Sequence, residues 1–201
     1  MTTRILVSIG LKHTWNRPDT IPAMRLPALL AALAGLLLVA CGGPSKEITY
    51  TSPDAGFTFS YPRDFIAGFK AASREIKDRP PKFSTTVGMD ETNLLVVSEY
   101  TIKRPYESYK PDEFTPFVDA TVRAIARASA LKITKSAREK LGPMDAYSYD
   151  LTGPGGSGSK MILGFKGRVQ YFLRCNWAAG DGANRIPPAC DGARTSFKIV
   201  S

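Results

Sequence analysis

Alternating hydrophobic and polar positions predict a β-strand near the start of the folded region. Residues 57–62 read Phe-Thr-Phe-Ser-Tyr-Pro, so three aromatic side chains share one face and two hydroxyl side chains share the other. Asp54-Ala55-Gly56 has turn chemistry and follows a short strand pattern at residues 48–50. Together these residues predict a strand, a turn and a second strand.

A strand of a different kind is indicated at residues 93–102, Asn-Leu-Leu-Val-Val-Ser-Glu-Tyr-Thr-Ile. Its continuous apolar stretch from Leu94 to Val97 is typical of a strand in the centre of a sheet. Glu99 is predicted to be buried on one face of this strand, with Lys160 or Arg168 as its cross-strand partner.

Helical periodicity follows after residue 112. Apolar and small side chains recur there at steps of three and four, which predicts one long helix with a single buried face. Asp112 or Thr115 is expected to cap the start of this helix, with Pro116 in its first turn. The positions on the predicted buried face are Phe114, Phe117, Val118, Thr121, Val122, Ile125 and Ser129.

The last third of the chain contains four further strand patterns and a short helix. Most of the strands are joined by short turns, which favours antiparallel pairing. The predicted fold class is α+β, an antiparallel β-sheet with one long helix and one or two short helices packed on it. The predicted strands are residues 133–138, 145–151, 160–165 and 168–177, and the predicted short helix is residues 188–196.

An apolar run from Leu26 to Ala40 lies outside this pattern. It follows Arg25 and ends in Leu38-Val39-Ala40-Cys41, the layout of a secretory signal. It is also shorter than the roughly 20 apolar residues that span a membrane. The ending resembles the lipobox of bacterial lipoproteins, in which the cysteine is acylated and becomes the mature N-terminus. That resemblance implies that Cys41 is lipidated and that acyl chains hold the exported protein on a membrane.

The signal divides the chain into segments. Met24 stands directly before Arg25, and a signal that starts there has ordinary proportions. We therefore expect the natural start at Met24. The predicted segments are an upstream extension at residues 1–23, the lipoprotein signal peptide at 24–40, a lipidated flexible leader at 41–47 and a single domain at 48–201.

Export changes what the composition implies. The whole chain has a net charge of +9, and the part from Cys41 onward keeps 23 basic and 17 acidic residues, a net charge of +6. The basic residues are scattered, which indicates a solvated surface and, with export, argues against nucleic acid as a partner. Cys175 and Cys190 remain in an oxidising compartment, so a disulfide between them is favoured over two free thiols.

Few residues indicate catalysis or cofactor binding. The single histidine, His13, precedes Cys41, which excludes histidine-based triads, dyads and zinc sites from the mature chain. Residues 153–160 resemble a phosphate loop, but the lysine is misplaced and a strand pattern follows, so a hairpin loop is favoured. Asp90-Glu91 lacks the acidic alternation of a calcium loop. No catalytic residue, metal site or cofactor is therefore predicted.

One loop mixes basic and aromatic side chains. Residues 103–110 read Lys-Arg-Pro-Tyr-Glu-Ser-Tyr-Lys. Such a mixture suits contact with a protein, a glycan or lipid headgroups, although an ordinary exposed loop explains it as well. The residues of this candidate interaction loop are Lys103, Arg104, Tyr106, Tyr109 and Lys110.

Residues 52–62, Ser-Pro-Asp-Ala-Gly-Phe-Thr-Phe-Ser-Tyr-Pro, resemble the opening hairpin of PsbP-like domains. The long central helix and the closing Ser196-Phe197-Lys198 fit the same family, so the resemblance extends from about Ile48 to Val200. It implies an α/β sandwich of antiparallel strands with helices on its faces. Because these are packing residues, the resemblance implies no particular activity.

The expected function is that of a membrane-tethered exported lipoprotein, a non-catalytic binding module of the cell envelope. Its expected partners are the membrane, through the lipid, and an envelope protein, glycan or lipid. An Asp directly after the lipidated cysteine resembles an inner-membrane retention signal, and this chain has Gly42 at that position. In a cell with two membranes we therefore expect the protein on the outer membrane. Otherwise we expect the outer face of the cell membrane. Two alternatives stay open: a carrier of a small apolar ligand or lipid in a cleft between helix and sheet, and an enzyme without histidine.

Overall fold

The computed structural model describes residues 46–52, 54–68 and 80–200. These residues form ten strands and two α-helices, with short 3₁₀ turns at Tyr106–Ser108 and Pro154–Gly156. The helices are α1 (Pro111–Ala128) and α2 (Asp181–Ser196). The strands are β1 (Glu47–Thr51), β2 (Phe57–Pro62), β3 (Ile66–Ala67), β4 (Phe83–Gly88), β5 (Leu94–Thr101), β6 (Lys132–Leu141), β7 (Met144–Thr152), β8 (Gly158–Lys166), β9 (Val169–Trp177) and β10 (Lys198–Ile199).

The described strands pair in two antiparallel sheets. The large sheet has the order β3-β4-β5-β9-β8-β7-β6, and the small sheet has the order β1-β2-β10. Strands β6 to β9 follow one another as hairpins, as their short connections predict. The pairing of β5 with β9 then joins this meander to β4 and β3.

The large sheet is covered on both faces. On one face lie α2 and the small sheet, whose Phe57, Phe59 and Tyr61 enter the same core as the buried side of α2. On the other face lies α1, whose Phe114, Val118, Val122 and Ala126 pack against β7, β8 and β9. We call these the α2 face and the α1 face. The predicted fold class, an antiparallel sheet with helices packed on it, is confirmed.

A disulfide ties α2 to the sheet. Cys175 of β9 and Cys190 of α2 are bonded, with their Cα atoms 6.0 Å apart, and both side chains are fully buried. The predicted pairing is therefore confirmed. On the chain-entropy model, a bridge across a loop of this length stabilises the fold by about 3 kcal/mol.

Two elements differ from the sequence-based expectation. Strand β4 was not predicted, because Phe-Ser-Thr-Thr-Val-Gly carries too little apolar alternation, and pairing with β5 stabilises it instead. Helix α2 begins at Asp181, seven residues before its predicted start, and contains Pro187 and Pro188. Prolines weaken a helix locally. Here the fully buried Ile186 before the prolines and the disulfide at Cys190 after them hold α2 against the sheet.

The start of α1 also differs from the prediction. Lys110 is the N-cap residue and makes no side-chain capping hydrogen bond, and Pro111 follows at the first helical position. The expected caps Asp112 and Thr115 lie inside the helix. The Thr115 hydroxyl donates to the Pro111 carbonyl at 2.8 Å. Proline at the first position needs no capped N–H, which explains why the helix begins earlier than the polar pattern indicated.

A cleft between the long helix and the sheet as the candidate binding site

A cleft of about 710 Å³ opens between the first half of α1 and the neighbouring ends of β5 and β9. This volume lies within the range of pockets that hold small ligands in proteins. Residues of α1 contribute to the lining, as do Pro80 and Lys82 just before β4. The described lining residues are Pro80, Lys82, Tyr100, Thr101, Ile102, Lys103, Arg104, Tyr109, Glu113, Phe114, Phe117, Thr121 and Gln170.

Aromatic side chains dominate the apolar part of the cleft. Phe114 is buried in the wall, and its ring lies 4.8 Å from the ring of Tyr109. Phe117, which was expected on the buried face of the helix, is 49% exposed and lines the cleft instead. Its ring lies 6.0 Å from that of Phe114, so a ligand in the cleft would meet a continuous aromatic surface.

Cations outnumber anions among the lining residues. The lining contains Lys82, Lys103, Arg104 and one carboxylate, Glu113. Lys82 is paired with Glu99, so Lys103 and Arg104 give the lining its positive charge. The Arg104 guanidinium lies 4.4 Å from the centre of the Tyr109 ring, which keeps this cation at the cleft by a cation–π contact. The rim of the cleft is therefore positive, while its interior is apolar.

Only some residues of the candidate interaction loop line the cleft. Lys103, Arg104 and Tyr109 line the cleft. Tyr106 is half-buried, with its ring stacked 5.1 Å from that of Phe165, so its role is in the core of the α1 face. Lys110 is exposed but is the N-cap residue of α1 and does not line the cleft. The loop thus contributes three of its five candidate residues to the site.

Glu99 has a different partner from the one predicted. Its carboxylate is buried and accepts a hydrogen bond from Lys82 Nζ at 3.1 Å, rather than from Lys160 or Arg168. Lys82 immediately precedes the unpredicted β4, and β4 places it beside Glu99. This ion pair holds the Lys82 ammonium group at the edge of the cleft.

Buried tyrosines fix the position of the α1 wall. Tyr149 of β7 donates a hydrogen bond to Asp119 of α1, with the two oxygens 2.5 Å apart. Burial raises the pKa of Tyr149 well above its ordinary value, and the hydrogen bond to Asp119 raises it further. The Arg138 guanidinium stacks 3.4 Å from the centre of the Tyr147 ring and donates to Thr115 of α1. These contacts hold the helix firmly against β6 and β7.

A second group of charged residues lies on the α2 face. Lys160, a predicted partner of Glu99, instead lies 3.7 Å from Glu139 and 3.3 Å from Asp191. Arg194 approaches the same two carboxylates, at 3.6 Å and 3.4 Å. These two cations and two carboxylates join α2 to β6 and β8. Their role is therefore to hold the helix on the sheet and not to bind a ligand.

The loop at residues 153–160 and the Asp90-Glu91 pair have structural roles. A 3₁₀ turn at Pro154–Gly156 leads into strand β8 and not into a helix. Residues 153–157 therefore form a hairpin loop, as predicted, and residues 158–160 begin β8. Hydrogen bonds from the Asn93 side chain and from the N–H groups of Asn93 and Thr92 lower the pKa of the Asp90 carboxylate. Across the described ranges, no group of three or more acidic, cysteine or histidine side chains could hold a metal ion.

Comparison with known proteins supports the fold. No family model matches this chain, and no curated protein matches it. The solution structure of cyanobacterial PsbP (CyanoP) from Synechocystis sp. PCC 6803 is similar, with a TM-score of 0.54 and 15% sequence identity. That match covers 81% of this chain and 98% of the other. The chain therefore has a PsbP-like fold.

A crystal structure from Bacteroides thetaiotaomicron VPI-5482 is less similar, with a TM-score of 0.47 and 13% identity. It covers 78% of this chain and 49% of the other.

The predicted signal, Cys41 and most of the leader lie outside the described residues. In the described part of the chain, no helix is long and apolar enough to cross a membrane.

Proposed function

We propose that this protein is an exported, lipid-anchored, non-catalytic module of the cell envelope that binds its partner in the cleft beside α1. The anchor rests on the Leu-Val-Ala-Cys sequence that ends at Cys41. The binding role rests on one observation, the aromatic cleft of about 710 Å³ with a positive rim.

The composition of the cleft supports a binding role. Exposed aromatic and arginine side chains are the groups that most often dominate the energy of protein interfaces. Phe117 is one of three large hydrophobic side chains that are exposed within the described ranges, and it stands in the cleft wall. Its exposure has no packing benefit for the isolated domain, which favours a contact with a partner.

The carboxylates of the cleft region do not favour catalysis. Glu99 is paired with Lys82 at 3.1 Å, and Glu113 is the only carboxylate among the described lining residues. Acid–base catalysis by carboxylates usually needs two groups whose environments separate their pKa values. The lining offers no such pair, so we assign binding rather than chemistry to the cleft.

Site-specific cross-linking in the native cells tests this proposal. A photoreactive amino acid in place of Phe117 should capture a partner, while the same group in place of Arg127 should not. Arg127 is a matched control because it is exposed on the same helix but does not line the cleft. Equal capture at the two positions, or none at either, would count against the cleft as the binding site.

The anchor is tested separately. Cys41→Ala should move the protein from the membrane fraction to the soluble fraction, because the acyl chains supply the stable attachment. Mass spectrometry of the native N-terminal peptide should find acyl groups on Cys41. An unmodified Cys41 in the membrane fraction would contradict the lipid anchor.

A carrier of a small apolar ligand or lipid is the second candidate function. It is favoured by the volume of the cleft and by the apolar side chains of Ile102 and Phe114 in its lining. Native mass spectrometry of the purified protein should then show a bound small molecule that is lost in Phe117→Asp and kept in Arg127→Asp. Protein that is empty when isolated from cells, together with a cross-linked protein partner, would decide for the interaction module.

A further inference from the structure

The described domain has two distinct ends, and the chain enters at one of them. Lys46 is the first described residue, and its carbonyl accepts a hydrogen bond from the Arg63 N–H at 2.9 Å. Ile66 follows shortly after and pairs with Gly88, the last residue of β4. We call the surface formed by Lys46, Arg63 and Ile66 the entry end.

The cleft lies at the opposite end of the same strands. Lys82 immediately precedes β4, whereas Gly88 at its other end pairs with Ile66. Thr101 is likewise the last residue of β5, and it lines the cleft. With about 3.4 Å per residue, the six residues of β4 separate the entry end from the cleft edge by about 20 Å.

The leader between the lipidated residue and the domain is short. Only residues 42–45 separate Cys41 from Lys46. A fully extended chain rises at most about 3.6 Å per residue, so Lys46 lies within about 18 Å of Cys41. If acyl chains hold Cys41 in the bilayer, the entry end cannot move far from the membrane surface.

The side chains of the entry end suit a lipid surface. Ile66 is 60% exposed, and Lys46 and Arg63 are exposed as well. No ion pair to either cation is present within the described ranges. The same end also carries the exposed acidic residues Glu47, Asp64, Asp90, Glu91 and Asp181, of which Asp64 and Asp181 are paired with Arg185. An exposed apolar side chain that is held close to a bilayer can insert among the lipid headgroups. The neighbouring cations can pair with lipid phosphate groups.

We infer that the entry end rests on the bilayer through Ile66, Lys46 and Arg63, so that the cleft opens at the end of the domain that faces away from the membrane. This inference rests on the proposed lipid anchor. It adds a second membrane contact besides the acyl chains and a fixed orientation for the binding site. A partner would then reach the cleft from the aqueous side and not from the bilayer that holds the anchor.

Fluorescence quenching on vesicles tests the orientation. The lipidated full-length protein is reconstituted in vesicles that contain anionic lipid and a lipid with a nitroxide on its headgroup. A single fluorophore is attached at Ala67→Cys or at Lys166→Cys, two exposed positions at opposite ends of the domain. The native cysteines do not compete for the label, because Cys41 carries the lipid in this preparation and Cys175 and Cys190 are bonded to each other and buried.

The expected result is strong quenching at Ala67 and weak quenching at Lys166. Because strands of six to nine residues place the second label about 20 to 30 Å farther away, we expect quenching at Ala67 to be about fivefold greater or more. Ile66→Ser should reduce this ratio, whereas Val200→Ser should not. Val200 is the matched control, since it is also exposed and apolar but contacts Gly56 at the other end.

Three outcomes would overturn the inference. Equal quenching at the two labels excludes the orientation, and an unchanged ratio in Ile66→Ser excludes the contact through that side chain, provided that the variant unfolds at the wild-type temperature. A native protein without acyl groups on Cys41 overturns the lipid anchor and the orientation with it. A lipidated protein with equal quenching overturns the orientation alone and leaves the proposed function standing.

Discussion

The α2 face and the α1 face of the same sheet are covered in different ways. The α2 face carries both a helix and the small sheet, and a buried disulfide joins the helix to β9. On the α1 face, α1 lies over β6, β7 and β8. An α-helix is about 10 Å across and strands lie about 4.8 Å apart, so one helix covers only two or three strands. The cleft forms beside α1, where the helix no longer covers the ends of β5 and β9.

The two faces of the sheet therefore have different roles. The closed α2 face holds the fold together, whereas the partly covered α1 face provides a binding surface. Substitutions on the two faces should therefore separate into those that change stability and those that change binding.

The largest effect is expected at Phe57 on the α2 face. Its side chain is fully buried, and its ring packs against those of Phe83, Tyr171 and Phe197. Phe57→Ala should lower the free energy of unfolding by about 3 to 5 kcal/mol, since it removes apolar contacts and leaves a cavity. Chemical denaturation measures this change. A loss below about 1 kcal/mol would contradict the assignment of the α2 face as the main core.

The disulfide should have the next largest effect. Replacing both Cys175 and Cys190 with alanine should cost about 3 kcal/mol, because the unfolded chain gains the entropy that the bridge removed. Denaturation of the wild type in the presence of a reductant is the matched control and should give a similar midpoint. If the reduced and oxidised proteins unfold at the same denaturant concentration, the bridge does not stabilise the α2 face.

The hydrogen bond that holds α1 should have a smaller effect. Tyr149→Phe removes the donor to Asp119, which should lower the free energy of unfolding by about 1 to 2 kcal/mol at pH 7. Binding in the cleft should weaken as well if the position of the helix wall matters. Unfolding curves and binding curves of the same variant measure both effects.

The same tyrosine predicts a pH dependence. Its pKa is raised in the folded protein, so the folded state keeps its proton while the unfolded state, with a pKa near 10, loses it. The unfolded state then binds fewer protons, and stability should fall as the pH rises above about 10. Tyr149→Phe should show a smaller alkaline loss than the wild type. An identical alkaline slope in both proteins would contradict this assignment.

The smallest effect on stability is expected at Phe117 on the α1 face. Because the side chain is half-exposed, Phe117→Ser should change the free energy of unfolding by no more than about 0.5 kcal/mol. Its effect on partner binding should be about tenfold, as for an aromatic hot spot. Phe114→Ala is the comparison on the same helix and should destabilise instead, since Phe114 is buried. Equal stability losses at both positions would remove the distinction between core and cleft.

Much of the fold was predictable from local patterns. The alternation at residues 57–62 and the apolar run from Leu94 appear as β2 and β5, and the helical periodicity after residue 112 appears as α1. Each of these patterns lies within one element, so it is visible without knowledge of the neighbours. The polar strand β4 and the proline-containing start of α2 are not visible in this way, because contacts with distant parts of the chain stabilise them.

The candidate site was predictable only in part. The sequence singled out Lys103, Arg104 and Tyr109, and these residues do line the cleft. It did not single out Lys82 or Gln170, which carry no local signal and reach the cleft through the pairing of β4, β5 and β9. It also placed Phe117 on the buried face, since periodicity shows which side of a helix is apolar but not how far the sheet extends beneath it.

By itself, the sequence determined the class of fold, the order of most elements and the cysteine pair that forms the disulfide, because hydrophobic periodicity and residue chemistry are local properties. Only the tertiary structure decided which strands became neighbours, where α1 stops covering the sheet and which charges meet at the cleft. Those features depend on register and on the width of one helix against a sheet of many strands, and no short stretch of the chain contains that information.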